Sequence, residues 1–201
     1  MFRLDDTIIA VSSPPGRSPR GLVRMSGPAC HSIVQELTGE PLPTVRHVVY
    51  RVVQLKATHG QQRLPLPVLL ACWHGPHSYT GQNVVEIQCP GHPALLERLL
   101  HQVTGLGARL AGPGEFTFRA FMHGKMDLTQ AEGVAALISA TGQAELTAAR
   151  HLCEGELGHW SQSLAQKLAD LLALVEAGID FTDQEDVVLI TPGKQARVTI
   201  A

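Results

Sequence analysis

Val84-Val85-Glu86-Ile87-Gln88-Cys89, followed by Leu95, Leu96, Leu99, Leu100 and Val103, decides the fold. Strict alternation over the first six residues sets Val85, Ile87 and Cys89 on one face of a strand and Val84, Glu86 and Gln88 on the other. The later apolar residues recur at spacings of three and four, which predicts a helix that covers one face of a sheet. Working outward, residues 45–55 are β-branched and long and residues 67–73 form a second apolar run, so both read as strands. Residues 7–11 and 21–26 are short strand candidates, separated by a turn-rich stretch with Pro14, Pro15, Gly16 and Pro19. Residues 28–37 read as a helix closed by Gly39 and Pro41. The irregular order of strands and helices predicts an α+β domain with a mixed sheet and covering helices.

Beyond Pro113 the pattern turns almost continuously helical. Leu128, Ala131, Val134, Ala135 and Ile138 make one apolar face; Leu157, Trp160, Leu164, Leu168, Leu171, Val175 and Ile179 make a longer seam. Such a seam calls for a partner surface, either the first of these helices in a small bundle, another subunit, or a segment absent from this sequence. The expected division is a domain over residues 1–118 and a partial helical domain over residues 119–201.

The chain has 201 residues, 44% of them hydrophobic, and a net charge of −2 with its ten histidines neutral. That supports a packed core in a soluble protein. No apolar run approaches the roughly 20 residues of a membrane-spanning helix, and residues 1–11 lack the apolar core of a secretory signal. Cys30, Cys72, Cys89 and Cys153 are scattered without a Cys-x-x-Cys pair, which fits a reducing cytoplasm better than a disulfide framework. Lys and Arg are dispersed, so no basic stripe announces nucleic-acid binding.

Nucleotide motifs fail on particular residues. The two Gly-Lys pairs, Gly124-Lys125 and Gly193-Lys194, have Arg119 and Val188 where a P-loop requires glycine, and Met126 and Gln195 where it requires Ser or Thr. No GTP site is expected in this chain. For metals, Cys72-x-His74 and Cys89-x-x-His92 have ligand spacing but no second pair at a recognisable interval, so no metal site is expected.

Three charged residues are more informative. Glu86 shares its strand face with Val84 and Gln88, and Arg24 shares one with Leu22 in Leu22-Val23-Arg24-Met25. They read either as a mutual salt bridge on an exposed sheet face or as a ligand clamp, in which the carboxylate accepts parallel N–H bonds from a guanidine-like edge. Lys125, in the turn His123-Gly124-Lys125 before a helix start near Asp127, reads alone as a solvated surface lysine.

Several stretches together resemble the tRNA modification GTPases called MnmE or TrmE. They are Asp6-Thr7-Ile8-Ile9-Ala10, Pro14-Pro15-Gly16-Arg17, Gly21-Leu22-Val23-Arg24-Met25-Ser26-Gly27, and Ser78-Tyr79-Thr80-Gly81 with Val84-Val85-Glu86. The most specific is Gly112-Pro113-Gly114-Glu115-Phe116-Thr117-Phe118-Arg119-Ala120-Phe121, continuing through Gly124-Lys125-Met126-Asp127-Leu128 to Gln130-Ala131-Glu132. The resemblance implies an N-terminal domain similar to the folate domain of aminomethyltransferases, which forms a homodimer and binds a 5-formyl-tetrahydrofolate-type ligand near the subunit interface. It implies folate contacts for Arg24, Glu86 and Lys125, and a pathway in which a flavin-dependent partner helps modify the wobble uridine of tRNA. In that architecture the GTPase domain is inserted within the helical domain, and nothing resembling it is expected here.

Departures from the pattern qualify these expectations. The family's glycine pair after Pro-Pro-Gly-Arg is Ser18-Pro19 here, its acidic pair after Thr-Gly is Gln82-Asn83, and its Cys-His-Gly-Gly stretch is Cys89-Pro90-Gly91-His92. Its C-terminal Cys-Ile-Gly-Lys motif is missing. Two further readings therefore stand beside folate binding: an interaction module whose helical seam docks on a relative or on the flavoprotein, and a degenerate remnant.

Overall fold

The computed structural model describes residues 3–43, 45–56 and 63–180. Strands β1 (Ile8–Val11) and β2 (Ser18–Ser26) lead into helix α1 (Cys30–Thr38), then β3 (His47–Lys56), β4 (Arg63–Trp73), β5 (Val84–Gly91) and helix α2 (Pro93–Thr104). A two-residue strand β6 (Arg109–Leu110) precedes α3 (Glu115–Met122), α4 (Leu128–Ser139), α5 (Gln143–Cys153) and α6 (Glu156–Asp180). The strands form one six-stranded sheet in the order β3-β4-β5-β2-β1-β6. All neighbours are antiparallel except β1 and β6, so the sheet is mixed, as an α+β domain requires.

Alternation along each strand divides its side chains between two environments. Val23, Met25, Val53, Leu55, Leu66, Val68, Leu70, Val85, Ile87 and Cys89 form one buried core with Ile33, Val34 and Leu37 of α1 and Leu96, Leu99 and Val103 of α2. Burying an aliphatic side chain of this kind contributes about 1.5–3 kcal/mol, so this face holds the sheet and both helices together. On the opposite face the register aligns Val48, Ala71, Glu86, Arg24 and Ala10 in one row and Tyr50, Leu69, Gln88 and Leu22 in the next. Val48, Tyr50, Val52 and Leu69 on that face are exposed.

Strand boundaries differ from the sequence expectation where proline is involved. Residues 18–20 were expected in a turn; instead β2 begins at Ser18, which pairs with Gly91, and the register slips between Ser18 and Gly21 in a β-bulge. Gly91 allows this close approach, since a Cβ there would stand 2.1 Å from Ser18 Oγ. Strand β4 runs through Pro65 and Pro67 because it pairs with β5 only from Leu69 to Trp73. A strand with a single neighbour leaves alternate N–H groups unused, so proline is tolerated there.

The chain divides into two compact units, the second beginning at Glu132. Asp127 starts α4 with a reciprocal cap: its Oδ1 accepts the Gln130 N–H at 2.8 Å, and its own N–H donates to Gln130 Oε1 at 2.9 Å. In the helical unit, α4 and α5 approach closely at Gly133, where a Cβ would lie 2.7 Å from the Cys153 nitrogen. The long seam on α6 is exposed at Leu157, Trp160, Leu164, Leu168, Val175 and Ile179. No described helix is long and apolar enough to cross a membrane.

Candidate ligand-binding site

Strand pairing makes Arg24 and Glu86 direct cross-strand neighbours. Arg24 Nε donates to Glu86 Oε1 at 2.8 Å, and Nη2 reaches the same oxygen at 2.7 Å. The salt-bridge alternative is therefore realised. Both contacts fall on Oε1, and among the described residues Oε2 accepts no hydrogen bond. The Arg24 guanidinium carbon lies 5.5 Å from the Tyr79 ring centre and 5.9 Å from that of Phe116. These aromatic rings hold the cation by its face, and Tyr79 is fixed in turn by a 3.0 Å hydrogen bond between its hydroxyl and that of Thr117.

Tyr79 belongs to the β4–β5 connection, residues 74–83, which folds back over the end of the sheet. Thr80 is fully buried and shares a 2.7 Å hydrogen bond with the Ser26 hydroxyl. Asn83 Oδ1 accepts the Gly75 N–H at 3.1 Å, and the Ser78 hydroxyl donates to the Gln82 carbonyl. Lys125 is exposed and donates from Nζ to the Pro76 carbonyl at 3.0 Å. The structure thus ties Lys125 to the connection that carries Tyr79, while Arg24 and Glu86 contact each other directly. Gly81, at φ +76°, is where this connection meets residues 123–125: a Cβ would stand 2.9 Å from His123 Cβ and 3.5 Å from Lys125 Cγ. Gly81→Ala is expected to cost about 1–2 kcal/mol for its left-handed backbone alone, read as a lowered thermal midpoint by calorimetry; an unchanged midpoint would contradict the tight packing.

A buried ionic network anchors these parts. Arg119 of α3 is fully buried. Its Nη1 donates to the Asp6 carbonyl at 2.7 Å and to Gln82 Oε1 at 3.0 Å. Its Nη2 donates to the Arg3 carbonyl at 2.9 Å, to Glu115 Oε1 at 3.2 Å and to the Asp6 carboxylate. Arg109 closes the other side with a bidentate contact to Glu115 at 2.6 and 3.0 Å and a 2.8 Å bond to Asp6. One cation thereby fixes the N-terminal segment, α3 and the residue after Gly81.

The same network sets a pH dependence. The Arg109 hydrogen bond is the largest influence on Asp6 and holds its carboxyl below the ordinary value. Burial alone would raise Glu115, but Arg109, the Gly112 N–H and Arg119 outweigh it and the net shift is downward. Carboxyls with depressed folded values contribute stability that is complete above their unfolded values, about pH 4–4.5, and lost as pH falls through the lower folded values. Acid unfolding followed by circular dichroism is expected to set in below that range, and Asp6→Asn should flatten it; a midpoint indifferent to pH between 5 and 2.5 would contradict the assignment.

Cys30, Cys72 and Cys89 are buried thiols and offer no activated nucleophile. Burial pushes the Cys30 thiol up to about 12 and raises Cys72 and Cys89 as well. His74, next to Cys72, instead contacts the Pro43 carbonyl at 3.2 Å and stacks edge-on with His31 at 4.5 Å. Among the described residues, His151, Glu154 and Glu156 bring potential metal-binding atoms within 4.8 Å of one another. All three are exposed; His151 Nδ1 already contacts Glu156 at 2.8 Å, and Glu154 contacts Arg150 at 2.7 Å.

Residues 7–125 match the family model described as the GTP-binding protein TrmE N-terminus. The chain belongs to the TrmE/MnmE family. Residues 128–199 match the MnmE helical domain. A tRNA modification GTPase MnmE from Nitrosococcus oceani is 43% identical over 195 residues, which are 96% of this chain and 41% of that protein. Its counterpart from Koribacter versatilis is 39% identical over 204 residues, 100% of this chain and 44% of that protein. The chain thus spans about two-fifths of the length of these relatives. Within the TrmE-like region, sequence reasoning singled out Arg24, Glu86 and Lys125 but missed Tyr79, Phe116 and Arg119 as their supports. The signal was present in the quoted motifs, as aromatic residues in segments rich in glycine and as an arginine four residues after a glutamate.

Proposed function

We propose that this chain is the folate-binding, dimerising module of a system that modifies the wobble uridine of tRNA. The observation that carries the reading is the half-used Glu86 carboxylate. Arg24 occupies Oε1 and leaves Oε2 to accept, on a sheet face where Val48, Tyr50 and Leu69 are exposed. The guanidine-like amino edge of a pterin presents parallel N–H donors to such a carboxylate. Arg24 and Lys125 supply positive charge for polar or anionic parts of the ligand, and Tyr79 and Phe116 offer ring faces. A 5-formyl-tetrahydrofolate-type molecule combines all these features.

The site lies on an open sheet face, whereas the cavities of about 770 and 530 Å³ lie elsewhere, beside α2. The exposed Val48, Tyr50, Val52 and Leu69 continue that face towards the sheet edge. An apolar area of this kind favours a second copy, which would close the site and exclude water from the Glu86 contact. The module would work in the cytoplasm with tRNA and a flavin-dependent partner. GTP hydrolysis would belong to segments of the relatives that this chain does not match, and the ligand-binding part would extend past the expected division at residue 118, since Lys125 is one of its contacts.

Isothermal titration with 5-formyl-tetrahydrofolate tests the reading. Saturable binding that Arg24→Ala weakens by about tenfold or more, the weight of one charge-assisted hydrogen bond, is the expected result. Absence of saturable binding by the parent chain would overturn it. A second reading, an interaction module that does not use folate, is favoured by the exposed Trp160, Leu168 and Ile179 on α6. Co-purification with the flavoprotein in the absence of folate binding would support that alternative.

A further inference from the structure

Between Pro41 and Val85 the sequence contains no aspartate or glutamate, but it contains Arg46, Arg51, Lys56 and Arg63. Strand pairing concentrates part of this charge. Lys56 and Arg63 are direct cross-strand neighbours at the end of the β3–β4 pair, an arrangement that costs energy when like charges face each other without a counterion. The same end is pinned to α2. Lys56 N–H donates to Gln102 Oε1 at 3.0 Å, Gln102 Nε2 donates to the Gln54 carbonyl at 3.1 Å, and Arg98 Nη2 donates to the Lys56 carbonyl at 3.1 Å.

Those three bonds bring the Arg98 guanidinium and His101 beside Lys56, around a cavity of about 770 Å³. Glu97 is the one acidic residue among the described lining residues. Among the described residues, no carboxylate forms an ion pair with Lys56, Arg63 or Arg98. By contrast, Arg51 is matched by Glu40 at 2.9 Å, and Arg24, Arg109 and Arg119 all have acidic partners. Arg17, Arg20, Arg46, Lys125 and Lys167 likewise form no ion pair with a carboxylate among the described residues, so Lys56, Arg63 and Arg98 are distinguished by being brought together at one strand end.

We propose that Lys56, Arg63 and Arg98 form a contact site for the phosphodiester backbone of RNA. The cations are spread over a strand end and a helix face, and Lys56 and Arg63 are exposed. That arrangement suits successive phosphates of a polyanion. A single small phosphate is usually held by backbone N–H groups at a helix N-terminus, whereas Arg98 and His101 lie beyond the first turn of α2. The site carries no base-reading geometry, so it contributes affinity and orientation and leaves sequence choice to other contacts. The inference rests on the tRNA-modification reading for the identity of the RNA, and is independent of folate binding.

The test is fluorescence anisotropy of the full 201-residue chain with an unmodified tRNA transcript, across a salt series. Each phosphate contact contributes about 0.9 to the slope of log affinity against log salt. Lys56→Ala/Arg63→Ala/Arg98→Ala is expected to weaken binding roughly 30-fold or more near 0.1 M salt and to reduce the slope by about 2–3. Removing three cations elsewhere, with Arg3→Ala/Arg150→Ala/Lys167→Ala, is expected to change affinity by less than about threefold. If loss of the Arg98 bond to the Lys56 carbonyl lowers the melting temperature, Lys56→Gln/Arg63→Gln, which keeps that bond, gives the reading, with about tenfold weakening expected.

Equal weakening by the distant triple variant would show that only net charge matters and would overturn the site. Parent-like binding by the strand-end variants would overturn it while leaving tRNA as the partner. No binding by the parent chain at low salt would overturn both the site and the tRNA reading of this chain.

Discussion

Arg119→Ala is expected to destabilise the N-terminal unit by about 3–5 kcal/mol, the range for removing one partner from a buried ion pair. The substitution removes one of the two cations that contact Glu115, which has no exposed surface, and also removes donors from the Asp6 carbonyl, the Arg3 carbonyl and Gln82 Oε1. Arg109 continues to contact Glu115 and Asp6, which places the loss within that range rather than beyond it. The exposed helical pair Arg150–Glu154 is the contrast. Solvent screens it, and Arg150→Ala should leave stability unchanged within error. Chemical denaturation of the two variants checks both statements; equal midpoints for Arg119→Ala and the parent would refute the anchoring role. Because Gln82 also loses a partner, the β4–β5 connection with Tyr79 should exchange amide hydrogens faster than in the parent.

Glu86→Ala should produce the largest change in ligand affinity. Hydrogen bonds to a charged group contribute about 1.5–3 kcal/mol, so loss of the carboxylate should weaken 5-formyl-tetrahydrofolate binding by about 10- to 150-fold. The substitution also frees Arg24 from its acidic partner, but the Tyr79 and Phe116 rings still hold the guanidinium by its face. Stability should therefore fall much less than affinity. Glu86→Gln separates charge from shape, since the amide keeps one acceptor oxygen and should recover part of the lost binding. A dissociation constant for Glu86→Ala within twofold of the parent would remove Glu86 from the site.

Much of this was legible in the chain because burial imposes a period. Val85, Ile87 and Cys89 announced their strand by alternation, and the α2 leucines by helical spacing; in the fold they occupy one core. Alternation also put Arg24 and Glu86 on defined faces. It could not supply the register that makes them neighbours, because register follows from pairing between strands 62 residues apart. Strand β6 escaped notice because two residues have no period, and α5 because it is more polar in composition than the helices on either side of it. The cationic strand end escaped for the same reason as the salt bridge. Lys56 and Arg63 look dispersed along the sequence and become adjacent only when β3 and β4 pair. Arg119 could be read only as part of a motif, since its partners Arg3, Asp6 and Gln82 are distant in the chain.

The central claim is that Glu86 and Arg24 grip a pterin on the open face of the sheet. A crystal structure of the chain grown with 5-formyl-tetrahydrofolate tests it most directly. Electron density for the pterin amino edge within hydrogen-bonding distance of Glu86, with Arg24 and Lys125 turned towards the ligand, is the predicted result. Density for the ligand beside α2, with the Arg24–Glu86 bridge unchanged and its surroundings empty, would contradict the account.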